Sequence, residues 1–194
     1  MINTYIEYFF RYMGPGEKYN NISDDVIEKY RGKIKAQKDE VDIITHLWQN
    51  YGLCSFRNGL FWLVNPDEYS PIAKRFSRIS ESAIVFGRSG MGGLFIFDKL
   101  DIGDSIIYLN PHHDKTKIIS TGVQVFMTFD IPAETFWNRE CYGKFEIPVI
   151  EKFGKLTREE CYTFVPALHL GGNESMKNIE KGNIKTVLDL LSQK

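Results

Sequence analysis

The side chains that could do chemistry in this 194-residue chain lie in five places, and the spacing each chemistry requires decides between function and scaffold. The string Gly87 to Gly93, GRSGMGG, is the most phosphate-like, because flexible glycines can turn backbone N–H groups toward an anion. A phosphate loop needs Lys and then Ser or Thr after its last glycine, whereas Gly92 is followed by Gly93 and Leu94, so the string reads as a hairpin turn. His112, His113 and Asp114 follow Asn110 and Pro111, and vicinal histidines beside an aspartate can ligate a metal. Adjacent residues rarely both point inward. His46 and His169 stand far off with no HExxH spacing, so a solvated turn without a metal is expected. Asp98, Asp101 and Asp104 lack the alternate spacing and closing Glu of a calcium loop and read as an exposed turn. Cys54, Cys141 and Cys161 have no neighbouring histidine to activate a thiolate, and no GxSxG elbow is present. Glu159 and Glu160 are contiguous where an N-capped helix is expected from Thr157, which favours dipole complementation over paired acid–base work. No catalytic set and no cofactor site emerges.

Composition bounds the alternatives. Hydrophobic residues make up 43% and aromatics 14%, enough to build a core without crosslinks or cofactors. The 24 basic and 25 acidic residues nearly cancel and no block of one sign stands out, which disfavours a nucleic-acid binder. Three cysteines without CxxC spacing indicate neither a disulfide framework nor a zinc site and fit a reducing cytoplasm. Glu7 and Arg11 interrupt the opening apolar window, and no later run approaches membrane-spanning length, so a soluble, unexported protein is expected.

Any functional residue must be held by the elements that periodicity predicts. Leu60 to Val64 is an unbroken apolar run that suits a strand covered on both faces, and Asn65, Pro66, Asp67 and Glu68 then start a helix by capping, fixed φ and dipole. That strand should be central, with Trp62 buried. Helices are predicted around Tyr5 to Phe10, stopped by Gly14 to Gly16, from Ser23 to Tyr30, and from Val41 to Tyr51, closed by Gly52. Further strands are expected over 83–86, 94–97, 105–109 and 117–120 as an antiparallel meander. Helical periods return at 133–138, 148–153 and 184–191. The order helices, sheet, helices predicts an α+β fold with a largely antiparallel central sheet flanked by N- and C-terminal helices.

Two long strings carry a resemblance. Gly59 to Pro66, GLFWLVNP, follows a helix containing Trp48 and ending at Gly52; Glu160 to Gly172, ECYTFVPALHLGG, comes later, and Gly14-Pro15 precedes both. Together they resemble bacterial proteins with a GAD-like region followed by a short C-terminal region, of the type VI secretion immunity kind. The resemblance implies a GAD-like region over 1–114 and a C-terminal immunity region over 115–194, packed as one body. It also implies neutralisation of a co-encoded toxin, of nuclease type, by direct binding and without catalysis. It transfers no catalytic residue. A general protein- or peptide-binding module and an enzyme of unrecognised chemistry stay open as alternatives. Trp48, Gly52, Gly59, Phe61, Trp62, Asn65, Pro66, Cys161, Tyr162, Pro166, Gly171 and Gly172 are read as structural signature residues. Asp98, Asp101, Asp104 and Asp114, expected on exposed hairpin loops, are the candidate partner-binding carboxylates.

Overall fold

The computed structural model describes residues 2–33, 43–76 and 79–193, so the expected helix start at Val41 lies outside the described residues. Helix α1 (Ile2–Met13) buries Ile6, Phe9 and Met13 on one face and is followed by the short strand β1 (Glu17–Asn20). In α2 (Asp24–Tyr30) the Ser23 hydroxyl accepts from the Val26 N–H, and Asp24 and Asp25 occupy the first turn. Helix α3 (Ile43–Tyr51) closes at Gly52, whose φ of +72° provides the left-handed cap. Strand β2 (Leu53–Phe56), a 3-10 turn (Arg57–Gly59) and β3 (Phe61–Leu63) then lead into α4 (Pro66–Ala73), where the Asn65 side chain accepts from the Asp67 N–H. Local capping chemistry therefore sets these boundaries.

Four strands follow as consecutive hairpins: β4 (Ile84–Ser89), β5 (Leu94–Leu100), β6 (Gly103–Asn110) and β7 (Lys115–Ser120). With the first three they form one seven-stranded antiparallel meander in the order β1 to β7. Of GRSGMGG, Gly87 to Ser89 end strand β4 and Gly90 to Gly93 form the turn to β5, a hairpin as its failed phosphate-loop spacing predicts. Past the sheet come α5 (Val123–Val125), a π-helical turn (Phe126–Asp130), α6 (Glu134–Glu140) and α7 (Glu146–Phe153). The chain ends with a separate hairpin, β8 (Glu160–Phe164) and β9 (Ile179–Asn183), and α8 (Ile184–Leu191). The fold is α+β, with helices on both sides of the antiparallel sheet.

Side-chain alternation along β3 explains the layering. Phe61 and Leu63 point into one apolar cluster with Phe9, Trp48, Phe126 and Trp137, while Leu60, Trp62 and Val64 point into another with Tyr69, Tyr162 and Leu188. The strand is thus buried on both faces, and Trp62 is 4% exposed. Residues 123–137 cover the first face and residues 142–191 cover the second, so each cluster draws on both halves of the chain. Much of the aromatic content is spent on the first face, where the Phe95 ring lies 5.3 Å from Phe61, 5.2 Å from Tyr108 and 5.6 Å from Phe126.

The helix expected from Thr157 is not formed. The carboxylate of Glu160 does reach back to accept from the Thr157 N–H at 2.8 Å, the contact of a capping box, but the chain only turns and then extends as β8. Cys161, Tyr162, Thr163 and Phe164 suit a strand, and the Tyr162 N–H donates to the Gly90 carbonyl of the β4–β5 turn at 2.8 Å. Pairing to β9 and docking on the sheet outweigh the local helix signal.

Candidate partner-binding face

The second signature string runs through β8 into a turn that stands on the surface. Val165–Pro166 is a cis peptide, Leu168–Leu170 makes one 3-10 turn, and Gly171 follows with a φ of +89°. Gly172 closes the turn by close approach: a Cβ there would lie 1.9 Å from the Pro166 carbonyl oxygen. Its N–H donates to the Ala167 carbonyl at 3.1 Å. The backbone compactness holds apolar side chains outward, and Leu170 is 72% exposed and Val165 53%. Leu190, on the adjoining helix α8, is 59% exposed. Between them lies an apolar groove of about 620 Å³ whose walls include Pro166, Ala167, Val187 and Leu191.

A second depression, a cleft of about 540 Å³, lies against the groove and shares His169, Leu191 and Gln193 with it. One wall is the β6–β7 turn with His112, His113 and Asp114; the other is the signature turn and its continuation to Glu174. Three of the four histidines of the chain therefore meet in one place, brought together from positions more than fifty residues apart. His113 Nε2 donates to Glu174 Oε1 at 3.0 Å across the cleft, and Lys144 Nζ stands 3.6 Å from the other Glu174 oxygen.

His112 departs from the solvated turn expected of it. It is 1% exposed, packed edge-on between Tyr142 and Phe164 at 5.7 and 5.1 Å, and its Nε2–H donates to the Met91 carbonyl at 2.9 Å. That bond fixes the tautomer, leaving Nδ1 as an acceptor with no partner. Burial lowers its pKa to about 4, so the ring is neutral at pH 7. Of the four aspartates expected at an interface, Asp98 is also corrected. It lies in strand β5, 2% exposed, and accepts from Ser80 at 2.6 Å and Ser82 at 2.9 Å, hydroxyls recruited from the segment before β4. Asp101 is exposed in the β5–β6 turn and Asp104 is partly buried beside it, where burial raises its pKa. Asp114 lies at the far end of β6, on the order of 25 Å away at ordinary strand rise, so the four do not form one patch.

Apart from the half-buried cap Asn65, the remaining signature residues lie in the interior. Trp48 is 1% exposed in the first cluster; Cys161 and Tyr162 are fully buried in the second. The Trp62 indole N–H donates to the Gly59 carbonyl at 2.6 Å. Burial pushes the Cys161 thiol up to about 12 and the Cys141 thiol higher still, and Cys54 is raised as well, so none of the three is a poised thiolate. Among the described residues no group of three or more His, Cys, Asp or Glu is arranged to hold a metal ion. None of their helices is long and apolar enough to cross a membrane.

A chain of this architecture, with one signature string in an interior strand of the sheet and the other running from β8 into a surface turn, matches two family models. Residues 4–110 match the GAD-like domain, and the protein belongs to that family. Residues 121–193 match the model described as T6SS immunity protein Tdi1, C-terminal, so the chain carries an immunity-family domain behind its GAD-like domain. Among solved structures it is similar to the crystal structure of Atu4351 from Agrobacterium tumefaciens, at a TM-score of 0.79 and 17% identity. That match covers 96% of this chain and 88% of the other and shows a shared fold. No curated protein sequence matches the chain significantly.

Proposed function

We propose that the protein is an immunity protein that neutralises a co-encoded secreted toxin, a type VI secretion effector of nuclease type, by direct stoichiometric binding in the cytoplasm. The observation that carries this reading is the match of residues 121–193 to a T6SS immunity protein domain directly behind a GAD-like domain. The site chemistry is in keeping with it. The histidine-lined cleft has carboxylates and imidazoles on its described walls but no hydroxyl, thiol or amine side chain. The surface turn offers exposed leucine and valine, which suits recognition by contact. Inhibition in this reading is occupancy without turnover. The experiment is co-expression and co-purification with the product of the neighbouring gene: a stable one-to-one complex and rescue of a toxin-expressing cell are expected. Failure to bind or to protect would return the protein to the class of general binding modules.

A further inference from the structure

We propose that the toxin docks on the signature turn through a lysine or arginine seated in the histidine-lined cleft and a neighbouring large apolar side chain seated in the groove beside it. This inference rests on the immunity reading and assigns the partner-contacting surface within it.

Charge complementarity selects the first half of the occupant. The described walls of the cleft present two carboxylates, Asp114 and Glu174, and neither a lysine nor an arginine. Leu168 and Leu191 supply apolar flanks along which an aliphatic stem can lie while its cationic head reaches the carboxylates. The shape favours a long basic side chain. Glu174 already accepts from His113 through Oε1, and among the described residues its Oε2 faces Lys144 at 3.6 Å, an ammonium that is 57% exposed. A contact that long and that solvated contributes little, so an incoming guanidinium can take its place with better geometry. Once the cleft is covered, the carboxylate and the guanidinium strengthen each other because water is excluded around them.

The second half follows from the apolar rim. Val165, Leu170 and Leu190 are three of the large hydrophobic side chains most exposed on the protein, and they border one groove that is continuous with the cleft through His169 and Leu191. An anchor pairing one charged and one large apolar side chain is how interfaces concentrate their binding energy. The turn is suited to the task because the close approach at Gly172 fixes its backbone without using the outward side chains.

The test measures affinity of the full-length protein for the purified toxin, with melting curves run in parallel. Glu174→Gln and Leu170→Asp should each weaken binding by about tenfold or more, the first chiefly at low salt, with unchanged melting. Asp101→Asn, at the opposite end of β6, and Phe129→Asp, 70% exposed on the segment covering the other sheet face, should bind like wild type. Wild-type affinity in both Glu174→Gln and Leu170→Asp, or a loss confined to Asp101→Asn or Phe129→Asp, overturns the assignment while leaving the immunity reading intact. A wild-type protein that binds no toxin at all defeats the immunity reading instead. Capture of a free polyamine by the cleft, with toxin affinity indifferent to Glu174→Gln, would likewise overturn the docking proposal.

Discussion

Arg88 lies directly across from Trp62 in the β3–β4 pairing, and its guanidinium sits 4.5 Å from the centre of the Trp62 ring. The arginine is 1% exposed, and its nitrogens donate to the Arg158 carbonyl at 3.1 Å and, more weakly, to the Ser89 carbonyl at 3.4 Å. The indole face and the two carbonyls, with the Tyr69 hydroxyl and the field of the Glu159 carboxylate, stabilise this buried cation. The central strand of the GAD-like domain thereby holds the turn that leads into β8, the strand of the second signature.

Trp62→Ala should therefore be costly twice over, by the cavity and by exposing Arg88 to an unfilled space. A loss of about 3 to 5 kcal/mol is expected from large-to-small truncation alone. Chemical denaturation reads this directly. A melting midpoint within a degree or two of wild type would contradict the packing described for β3.

The two signature glycines should separate. A Cβ on Gly172 would stand 1.9 Å from a backbone oxygen, which only movement of the turn can relieve, whereas Gly171 has open space around its missing Cβ. Gly171→Ala should cost about 1 to 2 kcal/mol, the penalty of a left-handed φ for an L residue. Gly172→Ala should cost clearly more. Equal losses, measured by urea denaturation, would contradict the close approach.

Acid should weaken the fold at His112. Its folded pKa, about 4, lies below the ordinary value of 6.5, so the unfolded chain binds more protons between those pH values. The stabilisation from keeping the ring neutral is complete above pH 6.5 and is lost as pH falls through that window to about 4. The full amount is about 3 kcal/mol by linkage. In His112→Gln the pH dependence of stability over the same window should be flatter than in wild type. An identical slope in both proteins would show that other groups carry the acid sensitivity.

Structure is legible in the sequence where local chemistry decides it. Asn65 and Pro66 start α4, Gly52 ends α3, and the apolar run at Leu60 to Val64 contains a strand buried on both faces. It is hidden where a distant partner decides. Strand β1 is the polar tetrad EKYN and exists through pairing with β2, and neither was predicted. Asp98 resembles a loop aspartate until Ser80 and Ser82 fold over it. His112 resembles a solvated turn residue until Tyr142 and Phe164 enclose it, and the cleft it shares with His169 and Glu174 joins segments whose separation hides the site. The vicinal pair His112 and His113, with His169 inside the second signature string, is the one local clue. The capping-box pattern at Thr157 and Glu160 was a true contact with the wrong continuation, because tertiary pairing overrode it.

The central claim is inhibition by tight one-to-one binding. A dedicated inhibitor must keep free toxin negligible, which calls for nanomolar or tighter affinity, on the order of -12 kcal/mol. Titration of the purified protein into a fixed amount of the neighbouring toxin, with residual toxin activity as the readout, measures this directly. Activity falling linearly to zero at an equimolar ratio is the predicted result; full neutralisation at a small fraction of that ratio, increasing with time, would reveal turnover and contradict the account.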